Sequence, residues 1–198
     1  ETAEVYVAGN IQGVACRFLL DTGCARTSLN FDDFSSNFEK VGSNESSGIF
    51  CKTHYDEIKV DSLEFGDFIE TNVILSRARE GELDRKLLGM DILKKYSLNF
   101  SFLNKKVEVN QGLSLKNLIM NELILDKGSI PQIAFKFADS DVLGVWDSGA
   151  SVTLADINFI NKHHSMFEKV GSELGTDSTG KQMETPMYIM KPITLGKI

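Results

Sequence analysis

The sequence has little of what disulfide scaffolds, metal centres and membrane spans require. Its 198 residues include only 3 cysteines and 3 histidines. The cysteines are odd in number and form no Cys-x-x-Cys pair, so the sequence predicts neither a disulfide framework nor a zinc site. No apolar run approaches the ~20 residues that a membrane helix needs.

Negative charge outweighs positive charge in this sequence. Acidic residues number 28 against 21 basic ones, a formal net charge of −7, and Lys and Arg form no run. This balance argues against nucleic acid and anionic membranes as main partners. What the chain does have is 42% hydrophobic residues, enough for a sizeable core in one domain or two small ones. It begins at Glu1 without a methionine, so we expect a processed or trimmed piece, and the sequence predicts no localisation.

Three short landmarks recur along the chain in the same order. The letters FEKVGS occupy residues 38–43 and again residues 167–172, 129 positions later. The other two landmarks pair LLDTG with VWDSG, 126 positions apart, and LEFG with ITLG, 130 positions apart: residues 19–23 with 145–149, and 63–66 with 193–196. Self-similarity of this kind predicts a duplicated unit. We divide the chain into a first unit at 1–110, a connector at 111–128 and a second, C-terminally incomplete unit at 129–198.

The local patterns predict a mostly β class. Strand Val14–Leu20 follows a turn rich in Gly and Asn and completes a hairpin. Residues 43–48 and 175–180 are rich in glycine, serine and acidic residues between extended segments, so each is predicted to be a mobile hairpin. Helical signal is weak, and its best candidates are residues 87–95, 114–124 and 156–163.

An Asp-Thr/Ser-Gly triplet follows an apolar strand in both units. Taken alone, each triplet is what a strand-ending turn uses. A pseudo-two-fold duplication, however, brings equivalent residues together, so Asp21 is expected to face Asp147. Two carboxylates in contact cannot both ionise cheaply and therefore share one proton. One protonated and one ionised carboxyl, with a water between them, form an acid and a base aimed at the same bond.

The neighbours of these aspartates suit such a site. Gly23 and Gly149 lack Cβ atoms, which permits close approach of the backbone and a substrate. The hydroxyls of Thr22 and Ser148 are expected to lock the two turns together across the axis. A cysteine protease would need a histidine linked to a cysteine, and a serine hydrolase would need Gly-x-Ser-x-Gly; the sequence favours neither.

With these motifs the sequence resembles the aspartic peptidases of the retropepsin and pepsin type. The resemblance rests on FLLDTGCARTS from Phe18, WDSGASVT from Trp146 and LLGMDIL from Leu87. It implies an acid protease fold of two pseudo-symmetric β lobes with few short helices, with Asp21 and Asp147 as the catalytic pair. By the same resemblance Leu88 and Gly89 support the first Asp loop. The hairpins would be flaps over an extended polypeptide substrate, and their residues are Ser47, Gly48, Ile49, Thr179 and Gly180. The resemblance implies no metal and no organic cofactor.

The chain departs from both family patterns, because it has two retropepsin-sized units in tandem and no second apolar-apolar-Gly element. A second chain or a C-terminal segment is therefore expected to complete the second unit. Pairing of two first units, Asp21 with Asp21, stays open, and so does the choice between monomer and dimer. The alternative function is a non-catalytic peptide-binding or regulatory module that retains the protease fold.

Overall fold

Extended strands dominate the computed structural model, which describes residues 4–81, 85–110 and 123–193. The predicted mostly β class is confirmed. The strands are β1 Tyr6–Ile11, β2 Val14–Leu20, β3 Ser28–Leu29, β4 Lys40–Ser47, β5 Lys52–Phe65, β6 Phe68–Arg77, β7 Leu87–Leu88, β8 Ser97–Ser101, β9 Lys106–Asn110, β10 Ile124–Leu125, β11 Pro131–Phe137, β12 Ser140–Val145, β13 Phe167–Thr176 and β14 Gln182–Met190. The helices are α1 Met90–Leu93 and α2 Ile157–Lys162, with short 3-10 turns at Ser35–Asn37 and His164–Met166. In the described ranges, no helix has the length and apolar character to cross a membrane.

The N-terminal half, by which we mean the described residues between 4 and 110, contains a seven-stranded sheet that curls back on itself. Its strand order is β1-β2-β7-β3-β6-β5-β4, and β1 also pairs with β5, which closes the sheet around a core. Apolar side chains from most of these strands fill that core, because alternate residues of a strand point to the same face. The fully buried members are Ile11, Phe18, Leu20, Leu29, Ile58, Val60, Leu63, Leu75 and Leu88. β8 and β9 form a separate hairpin.

The predicted hairpin before Asp21 is present as β1 and β2. Gln12 and Gly13 both have positive φ, 48° and 86°, as a tight turn between two strands requires. Asn10 Oδ1 accepts a hydrogen bond from Gly13 N at 2.6 Å, which closes the turn. Strand β2 then carries buried leucines as far as Asp21.

The segment predicted as a helix over residues 87–95 begins as a strand. β7 pairs in parallel with β2, with Leu87 opposite Leu19 and Leu88 opposite Leu20, and antiparallel with β3. Both β7 leucines are buried, as expected for a strand that is paired on both edges in the middle of a sheet. The helix α1 then has only four residues. The prediction was wrong for the first two residues because consecutive buried leucines fit a central strand as well as a helix.

Residues 123–193, the C-terminal half, have a smaller core. Strands β10, β11 and β12 form one sheet, and β13 pairs with β14; β10 falls inside the predicted connector. Phe137 is fully buried and packs against Phe159 and Phe167. The predicted helix at 156–163 is present as α2, where Asp156 Oδ1 accepts a hydrogen bond from Asn158 N. The predicted helix at 114–124 falls almost wholly outside the described residues.

Candidate active site

Asp21 lies at the end of β2, in a turn that the backbone fixes from both sides. Its N–H donates to Leu88 O at 3.0 Å, and its carbonyl accepts from Cys24 N at 3.3 Å. Its side-chain Oδ1 accepts a hydrogen bond from Gly23 N at 2.9 Å. The carboxyl is only 7% exposed. The strand β7 therefore holds the Asp21 turn in place, and Leu88 provides the contact through its carbonyl oxygen.

Asp147 lies in a turn of the same kind after β12. Its Oδ1 accepts a hydrogen bond from Gly149 N at 2.8 Å, which reproduces the bond between Asp21 and Gly23. Among the described residues this turn has no strand that corresponds to β7, and β12 pairs only with β11. Asp147 is accordingly exposed. The two aspartates thus share a local geometry but differ in burial.

The fold brings these two turns into contact. The Asp21 and Asp147 carboxyls lie close enough for Asp147 to affect the pKa of Asp21. The glycines face the opposite carboxyls: a Cβ on Gly23 would overlap Asp147, and a Cβ on Gly149 would overlap Asp21. Both positions therefore require a residue without a side chain if the carboxyls are to meet.

A reciprocal set of hydroxyl bonds joins the two turns. Thr22 Oγ1 donates to Trp146 O at 2.6 Å and accepts from Ser148 N at 3.0 Å. Ser148 Oγ donates to Leu20 O at 2.7 Å and accepts from Thr22 N at 3.1 Å. Each hydroxyl is thus both a donor and an acceptor, and all four bonds cross between the two halves. These bonds fix the positions of the two aspartates relative to each other.

The environment of Asp21 favours its protonated form. Burial raises the pKa of Asp21, and the negative charge of Asp147 and the hydrogen bond to it raise that pKa further, to about 7. Bonds from the Gly23 and Cys24 backbone oppose these effects but do not outweigh them. Below about pH 7, Asp21 therefore holds a proton that it can donate.

A second layer of polar contacts lies beneath the Asp21 turn. Asp91 Oδ1 accepts from Thr27 N at 2.9 Å and from Thr27 Oγ1 at 2.7 Å. Gly89 N in turn donates to Thr27 Oγ1 at 3.1 Å. The sequence analysis assigned neither Thr27 nor Asp91 to the site. The available signal was Asp91 inside the apolar run LLGMDIL, since a buried polar side chain needs a partner.

A cavity of about 810 Å³ lies over the aspartates and between the two long hairpins. Of the residues predicted as flaps, Ser47, Gly48 and Ile49 line it. Thr179 and Gly180 lie at the other hairpin tip, where Thr179 Oγ1 is 3.2 Å from Cys51 Sγ and Gly180 turns the chain with a φ of 79°. The sequence analysis missed Asp177, also at this tip, because acidic residues in a Gly- and Ser-rich turn are ordinarily solvated.

A comparison with known families matches part of the chain. Residues 7–92 match the model of the family described as aspartyl protease. The chain is also similar to the crystal structure of a retropepsin-like aspartic protease from Rickettsia conorii, with 18% sequence identity and a TM-score of 0.38 over 50% of this chain and 76% of the other. No curated protein matches the sequence.

The matched aspartyl protease region contains only part of the site. It includes Asp21 and the supporting residues Thr27, Gly89 and Asp91, whereas Asp147 lies beyond it. The second carboxyl is therefore supplied by the C-terminal half. Within residues 4–81, 85–110 and 123–193, no group of three or more histidine, cysteine, aspartate or glutamate side chains is arranged to hold a metal ion.

Proposed function

We propose that the protein is an aspartic endopeptidase that hydrolyses peptide bonds in an extended polypeptide, with Asp21 and Asp147 as its catalytic pair. The observation that supports this most directly is the contact of the two turns at the floor of the cleft, where Gly23 faces the Asp147 carboxyl and Gly149 faces the Asp21 carboxyl. The aspartyl protease match over residues 7–92 supports the same reaction class. Apart from Asp21 and Asp147, the residues of the two turns act by positioning them.

The unequal burial of the carboxyls suggests their roles. Asp21 is buried and protonated below about pH 7, so it is the acid, and Asp147 is the base. Asp147 takes a proton from a water molecule, whose oxygen bonds to the peptide carbonyl carbon. Asp21 donates its proton to the carbonyl oxygen, which gives a tetrahedral diol. Asp147 then gives its proton to the peptide nitrogen, and Asp21 takes a proton back from one diol hydroxyl. The carbon–nitrogen bond breaks, and the products are a carboxylic acid and an amine.

The cleft suits an extended chain. Segments 44–50 and 173–178, one from each long hairpin, line the cavity above the aspartates. Extended segments of this kind offer backbone donors and acceptors to a peptide that lies alongside them. Such contacts depend little on side chains, so they bind polypeptides of many sequences.

The C-terminal half also needs a further segment to cover its sheet. Val145 and Trp146 are 53% and 42% exposed, although their equivalents Leu19 and Leu20 are buried next to β7. Thr153 stands 126 positions after Thr27 and is exposed, without the partners that Gly89 and Asp91 give Thr27. We infer that a C-terminal segment or a second chain supplies a strand of the β7 kind beside Val145 and Trp146.

The test of the proposed function compares single carboxyl variants. Asp21→Asn and Asp147→Asn are each expected to lower the hydrolysis of fluorescein-labelled casein by about 100-fold or more, because each removes one member of the acid–base pair. The same replacement at exposed Asp139 is the matched control and should leave the rate unchanged. A mixture of the two inactive variants should stay inactive, because the pair forms within one chain.

Other results would contradict the proposal. If Asp147→Asn cleaved casein at the parent rate, two Asp21 residues from different chains would be the active pair. Casein binding by the parent protein with no cleavage between about pH 3 and about pH 7 would instead favour the non-catalytic peptide-binding module.

A further inference from the structure

The tips of the two long hairpins are joined through one carboxylate. Asp177 lies in the turn between β13 and β14, yet it is only 6% exposed. Its Oδ2 accepts a hydrogen bond from Phe50 N, in the turn between β4 and β5, at 2.9 Å. Beside this bond, Thr179 Oγ1 lies 3.2 Å from Cys51 Sγ. The two halves therefore meet above the cleft as well as at its floor.

The C-terminal hairpin tip holds its own shape. Asp177 Oδ1 accepts from Thr179 N at 3.0 Å, from Thr179 Oγ1 at 2.6 Å and from Lys181 N at 3.1 Å. Burial alone would raise the pKa of Asp177. The bonds from the Thr179 hydroxyl and from the Phe50, Thr179 and Lys181 backbone outweigh burial and place that pKa below its usual value. An ionised carboxylate thus organises this turn and still has one oxygen for the other hairpin.

The N-terminal hairpin tip has the complementary shape. The repeated FEKVGS letters align the two hairpins at 129 positions, and this alignment places Gly48 at the position of Asp177. A Cβ on Gly48 would overlap Asp177 Oδ2 and would lie 2.7 Å from Thr179 Cγ2. The missing side chain at one position makes room for the carboxylate at the other. Two N-terminal hairpins would have glycine at both positions, so this contact needs one hairpin of each kind.

We propose that Asp177 is a positioning residue that latches the two hairpins shut over the cleft. The C-terminal tip is the fixed member, because three of the bonds to Asp177 are local to it, and the tip that carries Gly48 and Phe50 is the moving member. A polypeptide enters the cleft after the bond from Phe50 N to Asp177 Oδ2 breaks, so the latch controls the rate of binding. The role of the latch in binding rests on the proposed function, whereas the contact itself can be tested without a substrate.

The first test measures hydrogen exchange at the Phe50 amide by NMR. In Asp177→Asn the remaining Oδ1 still accepts the local hydrogen bonds of the turn. An NH2 group replaces Oδ2, however, and it cannot accept the bond from Phe50 N–H. We expect exchange at Phe50 to become about tenfold faster or more, while the Thr179 and Lys181 amides keep their parent rates. Asp156→Asn is the matched control, since Asp156 also accepts a local backbone bond, and it should leave Phe50 unchanged.

A second variant approaches the latch from the other hairpin. Gly48→Ala leaves the Asp177 turn intact but places a methyl group against its carboxylate, so it should accelerate Phe50 exchange in the same way. For entry, stopped-flow fluorescence anisotropy of fluorescein-labelled casein follows its binding in an Asp147→Asn background that does not cleave. Adding Asp177→Asn should raise the association rate about tenfold.

Three results would overturn the latch. The first is exchange at Phe50 that stays at the parent rate in Asp177→Asn or Gly48→Ala. The second is equal acceleration at Thr179, Lys181 and Phe50 in Asp177→Asn, and the third is an unchanged association rate despite faster Phe50 exchange. Absence of casein binding in every variant, with Phe50 exchange accelerated as expected, would contradict the proposed function and confirm the contact between the hairpins.

Discussion

Two aspartates of the same local geometry lie in different surroundings. Each accepts a hydrogen bond from the glycine two residues later, and both turns are tied together by Thr22 and Ser148. Among the described residues, a supporting strand lies behind Asp21 alone, through the bond from Asp21 N to Leu88 O. Burial behind that strand is the first cause of its raised pKa. A difference in packing thus underlies the different roles that we propose for these identical side chains.

This difference predicts a pH-dependent change in stability for Asp21→Asn. The folded protein holds a proton on Asp21 up to about pH 7, whereas the unfolded chain releases it near pH 4. The contribution of Asp21 to stability is therefore full below about pH 4 and is lost as the pH rises through about 7. Asparagine resembles the protonated form, so the variant should match the parent near pH 4 and be about 2 to 4 kcal/mol more stable near pH 8.

Urea unfolding of the parent and of Asp21→Asn at pH 4 and pH 8 measures this difference in the free energy of unfolding. Asp139→Asn, at an exposed turn residue, serves as the control and should show no such pH dependence. Equal free-energy differences at pH 4 and pH 8 would mean that the fold does not perturb Asp21.

At this scale the sequence showed the residues of the two turns and missed their tertiary partners. Asp21, Thr22 and Gly23 recur as Asp147, Ser148 and Gly149, and repetition made them visible. The partners lie far away in sequence: Thr27 meets Asp91 across 64 positions, and Phe50 meets Asp177 across 127. No local pattern specifies such pairs, because they arise from the packing of whole elements.

Among the elements, β7 and α1 have the most direct effect on the site. Strand β7 lies between β2 and β3, and α1 is bonded to the Asp21 turn because Met90 N donates to Cys24 O at 2.8 Å. Gly89, between the two elements, lies against the backbone of this same turn. A Cβ there would be 2.6 Å from Arg26 C and 2.9 Å from Thr27 N. Backbone atoms cannot move aside cheaply, so this crossing requires glycine.

Gly89→Ala should therefore destabilise the fold and displace the Asp21 turn. We expect a loss of about 1 to 3 kcal/mol in the free energy of unfolding, as for other overpacked sites, together with reduced casein hydrolysis. Gly171→Ala is the matched control, because a Cβ at Gly171 meets nothing within 4 Å, and it should change stability by less than about 0.5 kcal/mol. Equal effects of the two substitutions in urea unfolding would show that Gly89 is not closely packed.

The elements themselves were predicted unevenly. Hairpins with Gly- and Asn-rich turns, such as that between β1 and β2, were evident because turn residues have strict backbone requirements. Leu87 and Leu88 were assigned to a helix, since a short run of apolar residues has no period that distinguishes a buried strand from a helix. Pairing with neighbouring strands makes this segment a strand, and the sequence does not directly show which strands are its neighbours.

On the scale of the whole molecule, the two halves meet at two levels. The hydroxyl bonds and carboxyls join them at the floor of the cleft, and Asp177 and Phe50 join them at the hairpin tips. The N-terminal half has a closed core, whereas Leu143, Val145 and Trp146 in the C-terminal half are exposed. The sequence predicted the contact at the floor from its repeated triplet. It did not predict the contact at the tips, where the equivalent positions differ.

The most direct test of the account is a pH titration of the aspartate carboxyl carbons by 13C NMR, with Asp21 assigned from the signal that Asp21→Asn lacks. In the parent, Asp21 should titrate near pH 7. In Asp147→Asn, its midpoint should fall but stay above that of an exposed aspartate, because burial remains after the neighbouring charge is removed. A midpoint near pH 4 in the parent, or the same midpoint in both proteins, would show that the two carboxyls do not share a proton.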